Sequence, residues 1–133
     1  MTPGSSPGAG PAEYIADLNA ELADGGEDVR LQRLTLAAGS VQIPFEVVCR
    51  AFVRGYEPAE LVAGITQQTS KVILSPTEIA QAQWTSGRPG NEDRRVPTKG
   101  NRIFIAGRAR NVEAATGKYV AGVLVRIELQ VAG

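Results

Sequence analysis

The sequence predicts a mainly β protein, a small antiparallel β-barrel or sandwich with an N-terminal helix and a long inserted loop. Two long segments alternate apolar and polar residues with a period of two, as half-buried strands do. The segments between the strands are rich in Gly, Pro and charged residues. A chain of 133 residues supports one hydrophobic core, so we expect a single barrel domain over residues 27–133.

The N-terminal region changes composition at residue 12. Residues 1–11 are rich in Pro, Gly and Ser and cannot bury enough apolar surface to offset the entropy of ordering, so we expect a flexible arm. Within residues 12–26 the apolar residues recur at helical spacing, and Gly25 and Gly26 tolerate the backbone of a helix end. This pattern predicts an N-terminal helix.

Charge is distributed unevenly along a chain whose net charge is zero. Residues 1–40 contain six acids and two arginines, whereas residues 88–110 contain seven basic residues and two acids. One end of the sequence can therefore attract the other end, or that of a neighbouring copy. Three acids of the predicted helix share one face: Glu13, Asp17 and Glu21. That face is either solvated or docks onto a basic surface of another subunit.

Two strands have long period-two patterns. Over residues 41–53 the odd positions are apolar, while Gln42, Glu46 and Arg50 fall on the other face. Pro44 cannot donate to a ladder, which places its part of the strand at an edge or a bulge. Residues 119–131 alternate likewise and predict the closing strand.

Shorter elements are expected between these strands. They are strands at 29–36 and 71–74, a hairpin at 102–112, and short helical segments at 57–63 and 75–84. In the hairpin, Gly107 supplies the tight turn. In the second helical segment, Ser75 and Glu78 have the spacing of a capping box, and Pro76 suits the first helical position.

Residues 85–98 form the main irregularity, a long run of turn formers and charges. Loops of this length are uncommon inside compact domains and are usually functional or disordered. Its candidate site residues are Arg88, Asn91, Glu92, Asp93, Arg94 and Arg95. Three arginines follow in the hairpin: Arg102, Arg108 and Arg110. They belong to a nucleic-acid surface, to a protein interface or to the outside of a structural hairpin.

The types of residue that the sequence contains argue against an enzyme. The chain has no histidine, which removes the usual general base near neutral pH and the commonest transition-metal ligand. The single cysteine, Cys49, falls on the inward register of its strand, where apolar surroundings keep a thiol inert. We therefore expect no catalytic site, no cofactor and no bound metal. The absence of a long apolar run and of a secretory signal predicts a soluble protein in a cytoplasm-like compartment.

Nucleic-acid binding is the functional class that the basic residues favour. Seven of them within residues 88–110 would bind phosphate with a strong salt dependence if they clustered in space. Aromatic residues for base stacking are scarce, since only Trp84 and Phe104 lie near this segment. The signal is therefore unspecific, and an acidic protein surface fits the same residues.

Short motifs follow one another in order through the C-terminal half. A turn leads into a strand, an x-Gly-Arg turn follows, a second strand ends in Val-Glu, and an alternating strand closes the chain; the residues are Lys99, Gly100, Gly107, Arg108, Val112 and Glu113. This order, over roughly residues 28–133, resembles the tailed-phage head–tail joining proteins. Asn101 stands where that group has Asp and tolerates the same turn geometry. Arg110 stands where an aromatic residue is frequent.

The resemblance implies a structural protein of the virion neck. Such a protein is a small β-barrel that assembles in the host cytoplasm as a homo-oligomeric ring below the portal. As a head completion protein, or stopper, it closes the DNA channel after packaging and joins head to tail.

On this reading the partners are the portal or an adaptor protein, tail proteins and packaged DNA, with no membrane. Residues 85–98 would form the channel loop, Gly100 and Gly107 the structural turns, and the hairpin arginines would face a neighbouring chain or DNA. The alternatives are a neck adaptor or tail terminator ring protein, or a free nucleic-acid-binding β-barrel.

Overall fold

Six antiparallel strands form a closed barrel in the order β1-β2-β3-β6-β5-β4. The computed structural model describes residues 10–36, 42–55, 69–88 and 92–132. The elements are α1 (Pro11–Gly25), β1 (Glu27–Leu36), β2 (Gln42–Gly55), β3 (Ser70–Leu74), α2 (Thr77–Gln81), β4 (Arg102–Ile105), β5 (Arg108–Val120) and β6 (Val123–Ala132). The predicted mainly β fold with an N-terminal helix is confirmed, and its architecture is the barrel. None of the helices within these ranges is long and apolar enough to cross a membrane.

The barrel has two ends that differ in their connections. At the lower end lie the β4–β5 turn and the starts of β1 and β3; at the upper end lie the β5–β6 turn and the start of β4. Inward-facing apolar side chains from all six strands form one core between the ends. The predicted helical segment at 57–63 and the first nine residues lie outside the described ranges.

The predicted start of the last strand was wrong. Tyr119 and Val120 are the end of β5, and the chain turns at Ala121 and Gly122 before β6 begins at Val123. Both turn residues have positive φ, 51° and 79°, as two-residue hairpin turns require. The alternation runs through this turn without a break because its residues are small and apolar, so the pattern alone does not reveal it.

The predicted helix at 75–84 is shorter than expected and lacks its capping box. Pro76 is the N-cap residue rather than the first helical residue, and the helix covers only Thr77–Gln81. The Ser75 hydroxyl accepts a bond from the Thr77 N–H at 3.2 Å. The Glu78 carboxylate instead accepts a bond from the backbone N–H of Arg50, at 2.9 Å. A long-range partner therefore replaced the local one.

Glu78 can bond to the Arg50 N–H because β3 is short and leaves that part of β2 without a strand on one side. β3 pairs with β2 only from Ala51 to Gly55, so among the described residues the upper part of β2 has β1 as its only strand neighbour. Here Trp84, buried to 1% exposure, donates its indole N–H to the Phe45 carbonyl at 2.7 Å. Pro44 lies in the same singly paired part of β2, as predicted for a residue without an N–H. The segment from α2 to Trp84 thus covers the edge of β2 that β3 leaves unpaired.

Helix α1 packs on the outside of the barrel against β2 and β6. Leu18 and Leu22 are its buried residues, which confirms the apolar face predicted from helical spacing. Its C-terminus is held by Arg50, whose guanidinium donates to the carbonyls of Leu22 at 3.2 Å and Gly26 at 2.6 Å. A cation at these carbonyls also complements the negative end of the helix dipole.

Candidate functional site

The predicted long loop completes the wall of the barrel above the start of β4, at the upper end. β4 pairs with β5 only from Arg108 to Asn111, so within the described ranges the rest of β5 has a strand neighbour, β6, on one side only. Val96 packs into the core beside this stretch and is 4% exposed. A Cβ built on Gly117 would lie 3.0 Å from a Val96 methyl carbon. The absence of a side chain at Gly117 therefore allows the loop to lie directly on β5.

Arg88 fixes the two arms of this loop to each other. Its Nε donates to the Val96 carbonyl at 2.9 Å, and its Nη2 donates to the Pro97 carbonyl at 2.8 Å. Nη2 also lies 3.5 Å from the carbonyl of Ala115 on β5, and Nη1 pairs with Glu92 at 3.2 Å. With 18% of its side chain exposed, Arg88 serves mainly to satisfy backbone carbonyls.

Asp93 forms a second contact between the loop and β5. Arg95 donates to both carboxylate oxygens of Asp93, at 3.0 and 2.7 Å, and the Tyr119 hydroxyl donates at 3.1 Å. The hydrogen bond from Arg95 lowers the pKa of Asp93 to about 2. Burial raises the pKa of Tyr119, and the hydrogen bond to Asp93 raises it further. Arg88, Asp93 and Tyr119 line a groove of about 350 Å³.

Asn101 fixes the far end of the loop and is 5% exposed. Its Oδ1 accepts a bond from the Thr98 N–H at 2.8 Å, and its Nδ2 donates to the Ser86 carbonyl at 3.1 Å. Its backbone carbonyl accepts from the Val112 N–H at 3.0 Å. An aspartate has no donor for the Ser86 carbonyl, so asparagine is the residue that this loop requires at position 101.

The remaining residues of the predicted channel loop are Asn91, Glu92 and Arg94. Glu92 and Arg94 are exposed, and Arg94 donates to the Arg88 carbonyl at 3.1 Å. Asn91 lies outside the described residues. The structure pairs Arg88 with Glu92 and Asp93 with Arg95, and a channel role for this segment stays a prediction.

The three hairpin arginines do not share one face. Arg102 lies on the outer face of β4, since its neighbour Ile103 is buried in the core. Arg108 and Arg110 pair with Ile105 and Ile103 and so occupy inward register at the lower end of the barrel. Arg110 is half-buried there, and its Nη1 donates to the Ser70 hydroxyl at 3.1 Å. Arg110 therefore links β5 to β3 at the lower end of the barrel.

A second groove, of about 380 Å³, lies at the upper end of the barrel. We call it the basic groove, defined by its three cationic lining residues: Arg33, Lys99 and Arg102. Arg33 was not identified from the sequence. It pairs with Phe45 and occupies inward register, after Val29 and Leu31. Because Arg33 is a cation at an inward position, it interrupts the alternation of apolar and polar residues over 29–36. That interruption is the signal by which Arg33 could have been identified from the sequence.

The acids of α1 stand beside a basic part of the barrel. Glu13, Asp17 and Glu21 are exposed, as predicted for a solvated or docking face. Asp17 and Glu21 line a groove of about 310 Å³ together with Lys118 and Arg126 of the β5–β6 hairpin. The acidic face of α1 thus lies beside two cations of its own chain that are outside the basic segment 88–110, and docking onto another subunit stays a prediction.

Cys49 is a core residue with 1% exposure. Burial, with a smaller contribution from the charge of Glu78, raises the pKa of its thiol to about 12. The inward register predicted for this residue is confirmed. Within the described ranges, no three Cys, Asp or Glu side chains come together as metal ligands.

Comparison with known proteins adds no family assignment. No family model matches the sequence, and no curated protein matches it significantly.

Proposed function

We propose that this protein is a structural component of a tailed-phage neck, forming a ring below the portal that closes the DNA channel and joins head to tail. One observation carries the proposal. The residues of the resemblance form a single continuous unit of the barrel: the turn at 98–101, β4, the Ala106-Gly107 turn, β5 and β6. The motif order thus corresponds to consecutive paired strands rather than to scattered similarities.

The use of polar side chains supports a structural role. Arg50, Arg88 and Asn101 bond to backbone groups of other segments and hold α1 and the loop on the barrel. Side chains committed in this way stabilise a fixed shape, which a ring subunit under pressure from packaged DNA requires. In the proposed ring, residues 85–98 face the channel, and Arg88 and Val96 anchor them to β5.

The exposed acids of α1 supply a subunit contact in this proposal. Glu13, Asp17 and Glu21 present three charges on one outer face. A basic surface on the adjacent subunit would neutralise them, and the pairing would weaken with salt.

Native mass spectrometry of the purified protein, alone and with portal or connector proteins, tests the proposal. A closed ring, or a complex of several copies with a connector, supports it. A persistent monomer without affinity for these proteins overturns it. The position of the density along the neck of the phage particle then separates a head completion protein from an adaptor or tail terminator.

A charge-reversal variant tests the docking face. Glu13→Lys, Asp17→Lys and Glu21→Lys together are expected to abolish the ring while leaving the monomer folded. Asp24→Lys with Glu27→Lys, at exposed acids near the end of the helix, is the control. Equal loss of the ring in both variants would contradict a specific role of the α1 face.

A further inference from the structure

We infer that the basic groove binds the phosphate backbone of nucleic acid without reading its sequence. The inference rests on the proposed function for the source of the DNA, but its chemistry rests on the groove alone. Its three cations come from separate segments, β1, the turn before β4, and β4 itself. Among the residues that the structure describes, no acid lines the groove.

The cations of the groove are available to a ligand. Within the described residues, the side chains of Lys99 and Arg102 make no hydrogen bond or ion pair, and both are exposed. The nearby Glu46 carboxylate is already occupied, since Arg30 lies 3.4 Å from it and Gln32 donates to it at 2.5 Å. Within the described part of the chain, the positive charge of the groove is therefore not cancelled by a neighbouring carboxylate.

Arg33 is held in position for such a ligand. Its Nη1 donates to the Thr85 hydroxyl at 3.1 Å. Gly87, with φ of +88°, has no side chain, and a Cβ there would lie 2.9 Å from the Arg33 Nε. The guanidinium thus lies directly on the loop backbone, with part of its donor fork still available. An ordered guanidinium loses little further conformational entropy on binding phosphate.

The shape of the groove favours a polymer backbone over a small anion or a base. Lys99, Gly100 and Arg102 are exposed, so the groove is open to a strand that runs across it. The described residues that line the groove include no aromatic side chain, so they offer no surface on which a base could stack. Phosphate contacts position a nucleic acid without specifying its sequence.

The salt dependence of DNA binding tests the inference. Fluorescence anisotropy of a labelled duplex oligonucleotide is measured for the full chain between 50 and 200 mM salt. Three phosphate contacts predict a slope of about −2.7 in log K against log salt, or about a 40-fold loss of affinity over this range. For Lys99→Gln with Arg102→Gln, the slope falls to about −0.9 and the loss to about 3–4-fold.

A charge-matched variant serves as the control. Lys118→Gln with Arg54→Gln removes the same net charge at exposed residues that do not line the groove. It is expected to keep the wild-type slope. Equal slopes for the two double variants would overturn the inference, as would competition by polyglutamate equal to that by DNA at the same charge concentration, which indicates an acidic protein ligand.

Assembly and DNA binding fail separately in these experiments. A closed ring whose affinity for DNA is unchanged by Lys99→Gln with Arg102→Gln overturns the groove and leaves the neck proposal standing. A monomer that binds DNA with the expected slope supports the groove and favours the free nucleic-acid-binding barrel over the neck protein.

Discussion

The loop anchored on β5 and the basic groove contain similar side chains in opposite situations. Arg88, in the loop, has 18% of its side chain exposed and donates to carbonyl oxygens of its own chain. Arg102, in the groove, is exposed and has no such partner among the described residues. A guanidinium whose donors are occupied stabilises the fold, whereas one with unoccupied donors is available for a ligand. The basic cluster of the sequence therefore contains arginines that bond to their own chain, such as Arg88, and residues such as Arg102 whose donors have no partner among the described residues.

The largest expected effect comes from Asn101→Asp, which disrupts the loop where it joins β4. The carboxylate cannot donate to the Ser86 carbonyl, 3.1 Å from the present amide nitrogen, and a buried charge is placed against that oxygen. We expect a loss of about 3 kcal/mol in the free energy of unfolding, measured by urea denaturation. Asn111→Asp, at an exposed position on β5, is the control with a small effect. Equal losses would show that the Nδ2 bond is unimportant.

Comparison of Arg88→Ala with Arg102→Ala tests the division of the cluster directly. Truncation of Arg88 leaves the carbonyls of Val96 and Pro97 without their donor, which is expected to cost about 2 kcal/mol. Truncation of Arg102 is expected to change the stability by less than about 0.5 kcal/mol. Thermal and urea unfolding of the two variants provide the measurement. A similar change in both would remove the distinction between the two regions.

Gly117→Ala tests how closely the loop lies on β5. The added methyl would stand 2.9 Å from a Leu124 carbon and 3.0 Å from a Val96 carbon, so one of them must move, at about 1–2 kcal/mol. Val96→Ala in the same chain is expected to recover part of this loss, measured as the coupling energy of a double-mutant cycle. Gly55→Ala, where a Cβ meets nothing within 4 Å, is the control. Additive effects at positions 96 and 117 would contradict direct packing.

The smallest expected effect is the pH dependence of the Asp93–Arg95 pair. Because the pKa of Asp93 is lowered from 3.8 to about 2 in the folded state, its stabilisation is complete above the ordinary value. It is lost as pH falls through about 2. Since Arg95 is 41% exposed, solvent screening reduces the expected contribution to about 1 kcal/mol.

The difference in urea midpoint between wild type and Asp93→Asn, followed from pH 6 to pH 2, measures this contribution. The difference is expected to shrink toward acid pH. Glu92→Gln, at an exposed carboxylate, controls for the loss of one charge. A wild-type advantage that stays constant down to pH 2 would rule out the ionised pair as its source.

Prediction from sequence succeeded where buried residues recur at a regular spacing along one helix or strand. The inward register of Cys49 and the buried face of α1 at Leu18 and Leu22 are both visible as a local period. Prediction failed where a polar side chain bonds to a residue that is distant in the sequence. Glu78 has the spacing to cap its own helix, yet it accepts from Arg50 on β2. Tyr119 was assigned to the last strand because small apolar residues concealed the turn at Ala121-Gly122.

Local periods in the sequence are enough to predict the strand faces, the N-terminal helix and the mainly β class, and the composition shows the scarcity of catalytic side chains. Which basic residues bond to their own chain, and which remain available, depends on long-range packing. This is because β3 and β4 are shorter than their neighbours and leave backbone groups of β2 and β5 without a strand partner among the described residues. Trp84, Glu78 and Arg88 satisfy backbone groups along these two strands. Strand length and register are properties of the closed barrel, and they place Arg33 beside Lys99 and Arg102.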